Sequence, residues 1–224
     1  PRAGAAGGRS QGRAGDRGGY PERLSRHLMA AQGILLAAGY GRRFDPEGRQ
    51  DKLLASMADG RPVLWHSARA LAQALPQCLA VIRPGQHERA RWLAEAGCRV
   101  LESAAAEAGM GCALAAAVTA SEDAAGWVVA LADMPWLDPA AIAAVAAALD
   151  SPASLAATAH RGRRGHPVGF GRAWGVRLAG LSGDNGAREL LAGPTLQLID
   201  WPDDSVLRDV DRADDLGPGA APRP

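Results

Sequence analysis

The sequence predicts an α/β fold built on a mostly parallel central sheet. Short apolar runs alternate along the chain with alanine-rich amphipathic stretches, and this alternation is typical of strands joined by crossover helices. The most apolar run, residues 127–131, is the natural candidate for a buried central strand. The chain has 224 residues, without a repeat or an internal linker, so we predict one domain over residues 29–216.

The individual elements follow from apolar spacing and from capping residues. Asp138 followed by Pro139 is a typical helix start, because the carboxylate can cap the first turn and proline is tolerated at the first helical position. The predicted strands span residues 33–37, 79–82, 99–101, 127–131, 155–158, 167–170, 196–199 and 206–210. The predicted helices span residues 63–75, 87–96, 139–149 and 187–191, with another that begins near Met110.

The two ends of the chain differ from this body in composition. Residues 1–28 are rich in Gly, Arg and Ala and contain six arginines against two acidic residues, a surplus of four positive charges. Since the whole chain carries +1, the remainder is near −3 and offers no basic face for nucleic acid. We predict that residues 1–28 and 217–224 are disordered. Alternatively, the first segment lies upstream of a start at Met29, or acts as a basic nucleic-acid arm.

Cysteine usage and hydropathy indicate the compartment. Cys78, Cys98 and Cys112 are isolated, odd in number and without metal-ligand spacing, so neither a disulfide framework nor a zinc site is expected. No apolar run approaches the length that a bilayer requires, so no membrane partner is expected. A reducing cytoplasm is the predicted location.

Lys52 is the only lysine in a chain that has twenty-four arginines. An ammonium is a compact point charge that fits between phosphate oxygens, whereas the planar guanidinium needs more room. The pattern therefore favours phosphate chemistry at Lys52, although a sole lysine can also lie in a loop without a role.

A glycine-rich turn follows the first predicted strand and precedes Lys52. Gly39 and Gly41 let the backbone approach a ligand closely, and exposed N–H groups there can bind phosphate or a base edge. The turn is not a dinucleotide fingerprint, because Phe44 occupies the place of the third glycine, and it is not a Walker A loop, because no Gly-Lys-Ser/Thr triplet follows. It can still hold a triphosphate.

Carboxylates follow two other predicted strands. Asp133 lies at the end of the most apolar strand, where a charge is costly unless a cation meets it, and Mg²⁺ accepts carboxylate and phosphate oxygens together. Asp211, in Asp209-Val210-Asp211, could complete the same metal site. The alternatives are an Asp133 that caps the turn before Pro135 and a solvated acidic loop at residues 209–215.

Six motifs occur in order along residues 33–216. They are Leu36-Ala37-Ala38-Gly39-Tyr40-Gly41-Arg42-Arg43-Phe44 with Lys52, Gly109-Met110-Gly111, Leu131-Ala132-Asp133-Met134-Pro135, Gly165-His166-Pro167-Val168, Ser182-Gly183-Asp184-Asn185-Gly186-Ala187-Arg188 and Asp209-Val210-Asp211. In this order they resemble the MobA-like NTP transferases, most closely the molybdenum cofactor cytidylyltransferases. The resemblance implies a three-layer Rossmann-like nucleotidyltransferase fold.

The resemblance also implies a role for each motif. Lys52, Arg43 and Asp133 would be catalytic, and Asp133 and Asp211 would hold Mg²⁺. The nucleotide would be bound by Leu36, Ala37, Ala38, Gly39, Gly41, Arg42, Arg43 and Lys52. The pterin substrate would face Gly109, Met110, Gly111, Cys112, His166, Ser182, Gly183 and Asp184. Cys112 departs from the family, in which a serine often follows Gly-Met-Gly. Taken alone, the segment around His166 is also typical of a surface hairpin, and Ser182-Gly183-Asp184 of a turn that caps a helix.

The resemblance further predicts the reaction. Ala38-Gly39 and Leu131-Ala132-Asp133 are similar to the cytosine-using type, so CTP is favoured over GTP. The expected activity is transfer of CMP to the terminal phosphate of a molybdenum-charged molybdopterin, with release of pyrophosphate, for a client oxidoreductase of the xanthine or carbon monoxide dehydrogenase type. A guanylyltransferase, a sugar- or polyol-phosphate nucleotidyltransferase and a non-catalytic cofactor carrier are the alternatives.

Overall fold

The computed structural model describes residues 31–41, 43–45, 47, 49–193 and 195–216. The predictions for residues 1–28, residues 217–224 and Arg42 therefore lie outside the described part of the chain.

A seven-stranded sheet with the order β3-β2-β1-β4-β6-β5-β7 forms the centre of the fold. Strand β1 pairs in parallel with β2 and β4, β2 with β3, and β5 with β7, whereas β6 runs antiparallel to both β4 and β5. This arrangement confirms the predicted α/β fold with a mostly parallel sheet. The strands are β1 (Gln32–Leu36), β2 (Cys78–Ile82), β3 (Arg99–Glu102), β4 (Gly126–Leu131), β5 (Leu155–His160), β6 (Arg163–Gly171) and β7 (Leu196–Asp200).

Helices cover both faces of this sheet and make three layers. Helices α1, α2 and α4 contribute to one buried apolar cluster, and α3 and α5 to the other. Among the described residues, no helix is long and apolar enough to cross a membrane. The helices are α1 (Val63–Ala74), α2 (His87–Glu95), α3 (Met110–Thr119), α4 (Pro139–Ala147) and α5 (Gly175–Ala179).

The most apolar run of the sequence forms strand β4, which is buried on both of its faces. Val128 and Ala130 belong to one buried cluster, while Trp127 and Val129 belong to the cluster on the opposite face. Burial of each large side chain of this kind contributes about 1.5–3 kcal/mol. Apolar side chains are therefore buried on both faces of the strand, and the alternation that a half-exposed strand would show is absent.

Two predicted elements in the last third of the chain are wrong. Residues 206–210 form no strand. The short 3-10 helix Asp204–Val206 ends at the first of them, and the buried side chains of Val206 and Val210 belong to an irregular segment. Residues 187–189 form a turn that leads into the 3-10 helix Leu190–Ala192, so this segment contains no α-helix. In both places the apolar spacing correctly predicts which side chains are buried, but it does not predict the backbone conformation.

No disulfide framework was expected from the sequence, but Cys78 and Cys98 form one disulfide, with Cα atoms 4.9 Å apart. They are separated by 20 residues, but Cys78 begins β2 and Cys98 directly precedes the neighbouring β3. Pairing of adjacent parallel strands brings the two residues together, which sequence spacing alone does not reveal. Cys112 is the free cysteine of the described residues. The cytoplasmic location stays a prediction that no longer has support from unpaired cysteines.

The sheet positions the functional loops through the register of β1 and β4. Leu36 lies beside Leu131, so both strands end at the same level. The amide of Ala132 then donates to the carbonyl of Leu36 at 3.1 Å, which continues the pairing into the turns. The glycine loop after β1 and the Asp133 turn after β4 are consequently neighbours at the carboxyl edge, where open α/β sheets bind their ligands.

Candidate active site

The glycine loop after β1 lies against the segment that contains Lys52. Gly41 has a φ of +65°, and a Cβ there would lie 3.1 Å from the Cβ of Lys52. A larger residue would therefore be strained and would press on the lysine. An added Cβ at Gly39 would meet nothing within 4 Å, so this side of the loop is open.

Lys52 lies between the two predicted metal-binding acids. Its Nζ is 2.8 Å from Asp133 Oδ2 and 3.7 Å from Asp211 Oδ1, and its side chain is only 12% exposed. Asp211 is also bound by Arg43, whose Nη1 donates to Oδ2 at 2.5 Å. The structure thus brings together four predicted residues in an alternating row of charges: Asp133, Lys52, Asp211 and Arg43.

The backbone joins the two acidic segments directly. The amide of Val210 donates to the carbonyl of Asp133 at 2.8 Å, and the Val210 side chain is fully buried. The carboxylate of Asp215 accepts hydrogen bonds from the amides of Asp211 and Arg212 at 2.9 and 2.7 Å, and so fixes the turn that follows. Asp211 therefore belongs to an anchored segment rather than to a freely solvated acidic loop.

A third carboxylate, Asp209, lies within electrostatic reach. Desolvation, followed by the negative charges of Asp133 and Asp211, raises the pKa of Asp209, whereas the Lys52 ammonium lowers it. The three carboxylates on this side of the cleft therefore carry more negative charge than Lys52 alone balances.

The carboxylates fit a hard divalent cation. Asp133 Oδ1 is buried and has no hydrogen-bond partner among the described residues, so one oxygen that prefers a cation or a donor is left over. No group of three or more His, Cys, Asp or Glu residues that could hold a metal occurs in the part of the chain that the structure describes. Two carboxylates suit Mg²⁺ that completes its shell with phosphate oxygens and water, rather than a cage built from protein alone.

Two adjoining cavities open beside these charges. One, of about 330 Å³, is lined by the glycine loop, the Asp133 turn and the start of α3, with Tyr40 and Met110 as partly exposed apolar walls. The other, of about 310 Å³, is lined by charged residues of both signs: Arg43, Lys52, Glu107, Asp184 and Asp211. Tyr40, Gly41, Lys52 and Asp184 line both, so an apolar compartment leads directly into a charged one.

The second glycine motif packs against the loop that was predicted to bind substrate. The amide of Gly111 donates to the carbonyl of Gly183 at 2.8 Å, and a Cβ on Gly109 would lie 2.4 Å from Asp184 Oδ1. Only glycine allows this approach at Gly109, whose φ is +125°. Ser182 is exposed beside this contact, and the half-buried Cys112 lies in the first turn of α3.

His166 lies in a third cavity, of about 260 Å³, which shares Leu36, Met110 and Leu131 with the first. Burial lowers the pKa of His166 and outweighs the Asp133 carboxylate, which favours the cation, so the ring is neutral. Its Nδ1 is buried and has no hydrogen-bond partner among the described residues. Arg164 and Arg188 line the same cavity and make it suitable for an anion.

Sequence reasoning missed Arg89, which is only 3% exposed. Its guanidinium donates to both carboxylate oxygens of Asp51, at 2.6 and 2.7 Å, and to the carbonyls of Ala37 and Gly39, at 2.6 and 3.0 Å. The available signal was positional: Arg89 shares the buried face of α2 with Leu93, four residues later, where an apolar residue is expected.

Solved structures share this fold. A nucleotidyl transferase from Methanothermobacter thermautotrophicus is 20% identical over 83% of this chain and 94% of its own, with a TM-score of 0.71. Rv0371c from Mycobacterium tuberculosis H37Rv is 23% identical over 84% and 96%, with a TM-score of 0.66, and it has also been solved in complex with manganese. A CMP:2-keto-3-deoxy-manno-octonic acid synthetase complexed with CTP is 14% identical over 82% and 94%, with a TM-score of 0.63.

Such distant likenesses establish the fold alone, and a search among curated proteins gives no match. The sequence profile of the MobA-like NTP transferase domain, in contrast, matches residues 33–200. This range contains the glycine loop, Lys52, Asp133, His166 and the segment around Asp184. The chain therefore belongs to the MobA-like NTP transferase family.

Proposed function

We propose that this protein transfers CMP from CTP to the terminal phosphate of molybdenum-charged molybdopterin. An oxygen of the acceptor phosphate forms a bond to the α-phosphorus of CTP, the bond from that phosphorus to the oxygen bridging to the β-phosphate breaks, and pyrophosphate leaves. No protein nucleophile is needed, because the acceptor phosphate is itself the nucleophile.

The row of alternating charges beside the two adjoining cavities is the observation that carries this proposal. A nucleotide has an apolar base and a charged polyphosphate, and the cleft has an apolar compartment of about 330 Å³ next to a charged one of about 310 Å³. We place the base and ribose in the first compartment and the β- and γ-phosphates beside Arg43 and Lys52 in the second.

Within this arrangement the protein orients the triphosphate and neutralises its charge. Lys52 and Arg43 stabilise the departing pyrophosphate, and the N–H groups of the glycine loop bind phosphate oxygens. Asp133 and Asp211 would hold Mg²⁺, which would withdraw charge from the phosphate oxygens. The manganese complex of Rv0371c supports the use of a divalent metal in this fold.

The third cavity supports an anionic acceptor. It shares a wall with the nucleotide compartment, and it presents Arg164, Arg188 and the neutral ring of His166. Met110 lines both cavities, and Gly109 and Asp184 line the nucleotide compartment next to it. We therefore place the acceptor phosphate beside Met110, where it would face the α-phosphate. The product would serve a client oxidoreductase of the xanthine or carbon monoxide dehydrogenase type, as the resemblance implies.

Release of pyrophosphate from each of the four NTPs, with and without molybdenum-loaded pterin, tests this function. We expect release from CTP that depends on the pterin. Preferred use of GTP would identify a guanylyltransferase, and turnover of a sugar or polyol phosphate would identify that alternative acceptor. Pterin binding without release of pyrophosphate would identify a non-catalytic carrier and contradict the proposal.

Replacement of Ala38 by glycine is expected to raise the use of GTP relative to CTP. Ala38 is 8% exposed and lines the nucleotide compartment, so loss of its methyl group makes room beside the base. A single methylene in such a pocket discriminates by roughly 10-fold or more, and we expect a change of that order in the ratio of kcat/KM values.

Ala106→Gly is the matched control, because it removes a methyl group from the same compartment at a different point. Equal changes in both variants would attribute the preference to cavity volume alone. An unchanged preference in Ala38→Gly would place the determinant of base choice outside the glycine loop.

A further inference from the structure

Arg89 links two segments of the candidate active site, the glycine loop and the turn that contains Lys52. The Asp51 carboxylate that it binds also accepts a hydrogen bond from the amide of Leu53 at 3.0 Å, and so caps the 3-10 helix Lys52–Leu54. Through the same guanidinium, Arg89 binds the carbonyls of Ala37 and Gly39 in the glycine loop. One side chain therefore fixes the turn that carries Lys52 and the loop that faces the nucleotide compartment.

A buried guanidinium is expensive unless its donors are satisfied. Arg89 meets this condition with four hydrogen bonds, two of which are charge-assisted and bidentate to Asp51. The geometry is therefore demanding, because the planar donor fork fixes the direction of each acceptor. Lysine has the same charge but cannot reach all four acceptors with one compact ammonium.

Arg83 binds the remaining carbonyl of the loop. Its Nε donates to the carbonyl of Ala38 at 2.9 Å, so arginines bind the carbonyls of three consecutive residues, 37 to 39. In a planar trans peptide the N–H points away from the carbonyl. The amide of Ala38 consequently points away from the Arg89 donor and the amide of Gly39 away from the Arg83 donor, and neither amide donates to an oxygen within the described part of the chain.

We propose that Arg89 is a positioning residue for nucleotide binding, a role that rests on the proposed function. It does not itself contact the substrate. By binding the carbonyls of Ala37 and Gly39 it fixes the orientation of the glycine-loop peptides whose N–H groups would bind the phosphates, and through Asp51 it sets the distance from that loop to Lys52. Displacement of either segment by about 1 Å would misalign groups that act on one triphosphate, and misplacements of that size cost up to about 100-fold in rate.

The test uses the full chain and the variants Arg89→Lys and Asp51→Asn, with Arg99→Lys as the matched control. Arg99 also donates to a backbone carbonyl, that of Ala120 at 3.5 Å, but at the opposite end of the sheet. Pyrophosphate release gives kcat and KM for CTP, calorimetry gives the Kd of CTP, and thermal unfolding gives Tm. Rates are compared at a temperature at which circular dichroism shows each variant to be folded.

We expect Arg89→Lys and Asp51→Asn each to lower kcat/KM for CTP by about 10- to 100-fold and to weaken CTP binding, while Arg99→Lys matches the parent. The double variant should lose little more than the worse single variant, because both changes sever one link.

A lower Tm with parental kcat/KM and Kd would overturn the proposal and leave Arg89 with a structural role alone. If Arg89→Lys does not fold, Asp51→Asn decides by the same criterion. A parent that binds CTP but releases no pyrophosphate contradicts the proposed function, and the Kd values of the variants still decide whether Arg89 positions the loop. A parent that does not bind CTP overturns both.

Discussion

Replacement of Lys52 by alanine is expected to lower kcat/KM for CTP by at least about 100-fold, the usual cost of losing one oriented electrostatic group. Lys52 is the cation that contacts both carboxylates, with its Nζ 2.8 Å from Asp133 and 3.7 Å from Asp211. Its loss removes a positive charge from the triphosphate and leaves the two carboxylates to repel each other and the incoming phosphates. Steady-state release of pyrophosphate measures the effect.

Lys52→Arg is the more informative change, because it retains the charge. Lys52 is 12% exposed, and its backbone and Cβ are held against Gly41. The chain therefore cannot retract to accept a longer and wider head group, and we expect Arg to restore little of the activity. Arg49→Ala is the matched control, since Arg49 lies in the same segment and forms an exposed ion pair with Glu47. A Lys52→Arg variant with kcat/KM near that of the parent would contradict a requirement for a point charge.

The sequence predicts the fold best where periodicity and burial agree. Strands β1, β2 and β4 are buried on both faces, so their apolar runs stand out, and Asp138 caps α4 through its carboxylate as predicted, at 2.8 Å from the amide of Ala140. Residues 206–210 show the opposite case. Val206 and Val210 are buried individually, and their spacing predicted a strand although residues 206–210 belong to no strand of the sheet that the structure describes.

In the candidate site, too, the sequence predicts some contacts and misses others. The proximity of the glycine loop and Asp133 was predictable, because parallel strands end at one edge of the sheet. The segment of Asp211 meets Asp133 through a hydrogen bond from the Val210 amide and through the burial of the Val210 side chain, and sequence spacing carries no information on such contacts. Arg89 was missed for a related reason, since its partners lie 38 and more residues away along the chain.

Exchange of Asp133 and Asp211 for asparagine tests whether the two acids share one metal ion. Each single variant is expected to lose at least about 2–3 kcal/mol of transition-state stabilisation, measured as kcat/KM for CTP. If both serve one ion, the double variant should lose clearly less than the sum of the two. Asp214→Asn is the matched control, because it removes the same charge from the same acidic segment.

Kinetic non-additivity alone does not identify the metal, because Lys52 contacts both carboxylates and would couple them without an ion. A direct measurement of metal binding separates the two causes. We expect electron paramagnetic resonance to show that Mn²⁺ binds more weakly to both single variants, in the presence of CTP, while Asp214→Asn binds it as the parent does. The orphaned Oδ1 of Asp133 predicts the larger loss for Asp133→Asn. Additive kinetic losses with parental Mn²⁺ affinity in Asp211→Asn would contradict the shared site and leave Asp211 as the anchor of Arg43.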